Sequence, residues 1–326
     1  MQRRHLPAAL AALASWQSAA AASWKPSGRV EYVIPAAAGG AVDIYGRVMK
    51  KILDANGALE GQTFVISNRP GGSGMIAAAP LLQRPGDAHI FTMLSSGFML
   101  GQVLGQFKHD LLRDFTIGPI FFEEALAVAV RADSPFKSGA DLVAQLRRDP
   151  ASVRIAVAPN LLNHIHIGLL KPLAAAGVDA ERLTVAAFRA SSESVVALMG
   201  GHVDVVSSSA ANVVEGVRNG SLRALAVTSE QRLKGTLAQV PTWKEQGVNA
   251  VFTSVQGVYF PKDMSAAQMA FWDAQFQRMA ATPEWLQTLA QYEVTPRFMN
   301  HVQANAYVKN EISSATALLR ELKLLK

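Results

Sequence analysis

Two adjacent glycines, Gly39-Gly40, follow a β-branched run, Val30–Ile34, that ends at Pro35; a helical stripe of Ile44, Val48 and Ile52 opens around Asp43. This spacing predicts strand, loop, helix. The small residues Ala36-Ala37-Ala38-Gly39-Gly40-Ala41 can then turn backbone N–H groups outward beside the positive end of the helix dipole. Such a loop captures an anion without an arginine. The same residues also suit a plain tight turn, with Asp43 charging the first helical turn. Both readings stay open from these residues alone. Ser73 lies in a second loop, Asn68-Arg69-Pro70-Gly71-Gly72-Ser73-Gly74, which permits close backbone approach, and Ser95 and Ser96 offer hydroxyls at a third strand end. Asn160, Asn163, His164, Ser191, Ser192, Ser208 and Asn212 follow at later strand exits. Each is also of a type that serves at helix starts. A polar cleft results either way, because ligands of open α/β sheets sit beyond the carboxyl ends of the strands.

Signals for catalysis are sparse. There is no Gly-x-Gly-x-x-Gly after the first strand, no Walker loop and no His-Glu-x-x-His. Near Ser73, Met75 stands where a nucleophile elbow needs its last glycine. His164 and His166 are two apart, so on a helix they point to different faces and cannot share a metal. A Ser-His hydrolase built from the serine loops and His164 is the enzyme alternative, because such triads are defined by geometry and not by order. The chain has no cysteine, which excludes disulfides, thiol catalysis and cysteine-ligated metals. Basic residues occur in short pairs such as Lys50-Lys51 and Arg147-Arg148, not in the aromatic-interleaved stripe of nucleic-acid proteins. The reading therefore assigns no catalytic residue, metal, cofactor or nucleic acid.

Strands and helices must place these loops, and the pattern predicts an α/β fold. After the first unit, strands are expected at Thr63–Ile66, His89–Leu94, Leu126–Val130, Val153–Val157, Leu183–Ala187, Val203–Val206 and Leu222–Thr228. Helices alternate with most of them, which indicates mostly parallel, crossover-connected sheets. No linker separates the halves. Two lobes are expected, joined by chain crossings near Leu126–Arg131 and Ser254–Phe260: residues 23–127 and 257–326 in one, 128–256 in the other. Residues 1–22 read as a signal peptide, with Arg3 and Arg4, an uncharged run from Leu6 to Trp16, and small residues from Ala19 to Ala22. The apolar run is too short for a spanning helix, which needs about 20 apolar residues. Export to the periplasm of a Gram-negative cell follows, and the arginine pair leaves a twin-arginine route open.

The run Tyr32-Val-Ile-Pro35-Ala-Ala-Ala-Gly39-Gly40-Ala-Val-Asp43 resembles the opening motif of the tripartite tricarboxylate transporter receptors, the Bug family of periplasmic proteins. Asn68–Gly74, Pro85-Gly86-Asp87, Leu198–Asp204, Gly220–Thr228 and Val240-Pro241-Thr242 are similar to later family landmarks, in order and at the same spacing. The resemblance implies a two-lobed periplasmic-binding-protein fold, type II-like, each lobe a mostly parallel sheet flanked by helices. It implies closure on a mono-, di- or tricarboxylate held by backbone N–H groups, hydroxyls and water, and delivery by a monomer to a membrane permease. A sensory receptor docking a signalling partner would use the same cleft. By motif position, Ala38, Gly39, Gly40 and Ala41 would form the first ligand loop with Asp43 beside it. Asn163 and His164 would stand in place of a Ser-His pair, and Ser191, Ser192, Ser208 and Asn212 on the remaining second-lobe loops. The chain departs from the family at Ala36, Ala38 and Val42, where an aromatic, a proline and a threonine are usual, and in Asn160-Leu161-Leu162, which replaces a loop richer in glycine and serine. A larger or more apolar acid fits those changes.

Overall fold

A computed structural model describes residues 24–39, 41–158 and 160–325; the signal-peptide reading of residues 1–22 and the candidate Gly40 lie outside the described residues. In the first lobe, β1 (Val30–Ile34) runs parallel between β2 (Phe64–Asn68) and β3 (Ile90–Ser95). The parallel pairs are connected by α1 (Ala41–Ala55) and α2 (Met75–Leu82). After β3 come α3 (Ser96–Val103), the short α4 (Leu111–Asp114) and β4 (Phe115–Arg131).

β4 is a single strand of 17 residues that belongs to both lobes. Its first part pairs antiparallel with β9 (Thr253–Pro261) and β10 (Thr295–Met299), and β9 in turn pairs with β3. Its second part pairs antiparallel with β7 (Val205–Ser209) and β8 (Leu222–Val227). The second lobe is completed by β5 (Arg154–Val157) and β6 (Thr184–Ala187), with β5 parallel to both β6 and β7. Its helices are α5 (Gly139–Arg148), α6 (His164–Ala175), α7 (Ser191–Met199) and α8 (Ala210–Arg218). After β9 the chain ends in α9 (Ala266–Ala280), α10 (Pro283–Gln291), β10 and α11 (His301–Glu321).

The sheets are therefore mixed and not mostly parallel. Crossover helices make the parallel pairs, whereas β4 and β9 carry the chain between lobes in opposite directions and so must pair antiparallel. The handover on β4 is sharp: Ala125 pairs with Thr253 of the first lobe, and Leu126 with Ser209 of the second. Thr253 already belongs to the first-lobe sheet, so a boundary at 256/257 falls inside β9. At the handover, Thr228 is buried; its hydroxyl accepts from the Leu126 N–H at 2.9 Å, and its own N–H donates to the Leu126 carbonyl at 3.0 Å. This clasp ties the end of β8 to the crossing.

The sequence pattern finds only the Leu126–Val130 end of β4, because Gly118-Pro119 interrupts the apolar run before it. The structure absorbs that dipeptide in register shifts between Ile117, Ile120 and Phe122. Opposite the shift lies Gly257, where a Cβ would stand 2.3 Å from the Pro119 carbonyl oxygen. The first-lobe core is aromatic, with Phe91, Phe260, Trp272, Phe276 and Trp285 buried together, whereas the second-lobe core is largely aliphatic. Large fully buried side chains on both sides of the crossing make each lobe a firm body.

Candidate functional site

The loop after β1 is held from beneath by Asp43, which is 1% exposed. Its carboxylate accepts from the Gly39 N–H at 2.9 Å, from Arg47 at 2.8 and 3.2 Å, and from the Asn68 amide at 3.0 Å. The same Asn68 amide donates to the Ala36 carbonyl at 3.1 Å. Two expectations are corrected here. Asp43 is a buried brace and not a ligand group, and the Gly39 N–H is engaged by that brace. Ala38 and Gly39 are exposed at the head of the loop, and α1 begins at Ala41.

The Arg47 guanidinium, then the Gly39 N–H, hold the Asp43 carboxyl down at about 2. Its ionised form is thus favoured by folding. The contribution is complete above the ordinary value of 3.8 and disappears as pH falls through about 2. Urea titrations of wild type and Asp43→Asn should give a stability difference that is constant above about pH 5 and shrinks steadily toward pH 2. A difference independent of pH would remove Asp43 from this role.

Beside this loop the two lobes enclose a cleft of about 310 Å³. First-lobe walls come from Pro35, from Gly71, Ser73 and Gly74, and from Met93, Ser95, Gly97 and Phe98; the second lobe supplies Asn160, Leu162 and Asn163. Ser73 has φ 51°, an unusual value for a residue with a side chain, and is exposed. Gly74 has φ 88°, and a Cβ there would fall 1.9 Å from the Phe98 ring. That close approach seats Phe98 as the apolar wall. Ser95 precedes α3 without giving its hydroxyl to the helix, so the hydroxyl is free for the cleft. Ser96 is different: it is buried, and its Oγ accepts from the Val255 N–H at 3.0 Å, fastening α3 to β9.

In the second lobe the capping reading prevails at Asn163. Its Oδ1 accepts from the His166 N–H at 2.9 Å and its Nδ2 donates to the Ala158 carbonyl at 2.6 Å. His164 opens α6 outside the cleft, facing Ser96, Leu100, Phe252 and Glu311 around an enclosed space of about 20 Å³. Burial pushes its imidazole down to about 4, so it is neutral at physiological pH. The Ser96 hydroxyl is engaged with backbone, so Ser96 and His164 do not form a nucleophile–base pair. His166, weighed in the sequence only as a metal partner, has a structural role. Its Nδ1 accepts from the Leu162 N–H at 3.0 Å and fixes Leu162 at φ 61° in the cleft wall.

The remaining residues sit at the ends of β6 and β7 and do not line the 310 Å³ cleft. Ser191 is the first residue of α7, where Ala190 takes the cap position, and Ser192 is exposed. Ser208 is fully buried because both faces of β7 are covered, and its Oγ accepts from Asn212 at 3.1 Å. Glu124, also missed in the sequence, lies at the crossing near Ser209 and Tyr45, and burial pushes its carboxyl up. Among the described residues no cluster of three or more His, Asp or Glu side chains is set to hold a metal, and no helix is long and apolar enough to cross a membrane.

The chain is 26% identical, over its full length and 99% of the relative, to the Cupriavidus necator "UPF0065 protein in gbd 5′ region". Its fold matches a TctC solute-binding protein from Polaromonas at TM-score 0.79 and 22% identity, over 91% of this chain and 99% of that one. It also matches R. palustris Rpa4515, solved with adipate, at TM-score 0.75 and 23% identity, over 91% of this chain and 98% of that one. Residues 48–324 match the family described as "Tripartite tricarboxylate transporter family receptor", a span that begins after the departing loop at 36–42. The chain thus belongs to the tripartite tricarboxylate transporter receptor (TctC) family of solute-binding proteins.

Proposed function

We propose that the protein is an exported receptor that captures a small carboxylate between its lobes and delivers it to the membrane subunits of a tripartite transporter. The observation that carries this reading is the cleft shared by both lobes. The Ser95 hydroxyl and the strained Ser73 loop face Asn160 of the second lobe across an apolar wall of Met93, Phe98 and Leu162. Hydroxyl and backbone donors can hold a carboxylate directly or through water. The apolar wall accommodates a carbon chain, and the fold relative solved with adipate supports an acid of that kind. Contacts made to both lobes only in the shut form would drive closure. Residues 1–22 would direct export and be removed.

A thermal-shift screen over linear mono- and dicarboxylates tests the ligand class. An acid at 100 times its dissociation constant should add about 2.7 kcal/mol to stability. Stabilisation by sugars or nucleotides, with none by acids, would defeat the proposal. Loss of carboxylate uptake on deletion would support the transport role; unaltered uptake would count against it.

A further inference from the structure

α11 begins as a first-lobe helix, with Ala304 and Val308 buried in the core that holds Ile120 and Val255. Its last turns leave that core. Leu319 and Leu322 are buried with Leu100 of α3 and with Ile167 and Leu170 of the second-lobe helix α6. These side chains form an apolar core that belongs to neither lobe alone. Past the helix end, Lys323 has φ 54°, a conformation that favours glycine, and the Leu324 and Leu325 N–H groups both donate to the Leu319 carbonyl, at 2.8 and 3.2 Å. The turn seats Leu325 on the same core and sets the Lys323 ammonium 3.1 Å from Glu181, in the turn before β6. Backbone strain of this kind persists where surrounding contacts hold it.

The shared core also reaches the cleft. Leu100 and Leu162 line the 310 Å³ cleft and pack in the same apolar cluster. α6 starts directly after the loop that forms the second-lobe wall, with Asn163 as its cap. Swinging α6 away from α3 would therefore widen the cleft and expose Ile167, Leu170, Leu319 and Leu322 to water, which the hydrophobic effect opposes.

We propose that the end of α11, residues 315–325, is a strap that fastens α6 to α3 and keeps the unliganded cleft from opening widely. The strap acts whatever ligand the cleft takes and does not rest on the carboxylate reading.

The chain has no cysteine, so Ile76→Cys on α2 and Val196→Cys on α7, both exposed, take spin labels at those two positions alone. Pulsed electron resonance on the unliganded protein should give a narrow distribution of inter-lobe distances. Leu319→Ala with Leu322→Ala should broaden it and shift it to longer distances. Leu81→Ala, a buried leucine lost inside the first lobe alone, should leave it unchanged. Lys323→Glu disturbs only a surface pair and leaves the core intact; it should shift the distances the same way by less, and adding Glu181→Lys should restore them. Unchanged distances in both strap variants, or an equal shift in Leu81→Ala, would overturn the assignment.

Discussion

Gly257→Ala should lower the unfolding free energy by about 3 kcal/mol, near the upper end for a single small-to-large change. A Cβ at this position would lie 2.3 Å from the Pro119 carbonyl oxygen and 2.8 Å from the Ile120 Cα. Both are backbone atoms of the shifted register on β4, so no rotamer change can make room. Either the bulge is expelled or the β4–β9 ladder opens beside it, and the ladder is what holds the crossing strands in the first lobe. Gly28→Ala provides the control, since a Cβ there meets nothing within 4 Å, and its effect should stay within about 0.5 kcal/mol. Urea denaturation of the two variants beside wild type reads the contrast. Equal midpoints would show that the register shift is not rigid.

The second large effect is expected at Gly74. Alanine there meets both obstacles at once, a φ of 88° and a ring carbon of Phe98 at 1.9 Å. The ring, being a side chain, can move, and when it moves the apolar wall of the cleft goes with it. Gly74→Ala should therefore cost about 2 kcal/mol in stability and weaken the proposed carboxylate ligand by roughly tenfold. Combining it with Phe98→Ala separates the two causes. Removing the ring relieves the clash but not the backbone strain, so the double variant should be more stable than the sum of the single losses by about 1 kcal/mol. Strict additivity would mean that the ring and Gly74 do not meet in solution.

The strand–loop–helix at 30–55 was legible because its hydrophobic period changes from two to 3.6 across a glycine loop. α3 was not, since Ser95-Ser96-Gly97 reads as a loop and the structure begins a helix inside it. β10 was hidden by Pro296 and by its edge position on β4. At the site, sequence spacing named loops that line the cleft, such as those of Ser73, Ser95 and Asn160, together with the ends of β6 and β7 that do not, and could not say which polar atoms were already engaged. Asp43 and Arg47 stand four apart on one helix face, a local signal for the ion pair that was available and unused. Asn68, the other brace, lies 25 residues away and becomes a neighbour only when β1 and β2 pair. Ser208 and Ser96 read as cleft hydroxyls by position and are buried because both faces of β7 are covered and because α3 packs on β9.

β4 has a mechanical consequence. A receptor whose halves are tied by a slack tether finds its resting pose by sampling many, and returns to it by chance. Here the halves share one ribbon, hydrogen-bonded to β9 up to Ala125 and to β7 and β8 from there on. Relative motion must then appear as torsion in that ribbon, because sharp bending would break its ladders. Such a joint would act as a spring with one rest angle, wound by a ligand that bridges the lobes in the proposed function and unwound on release.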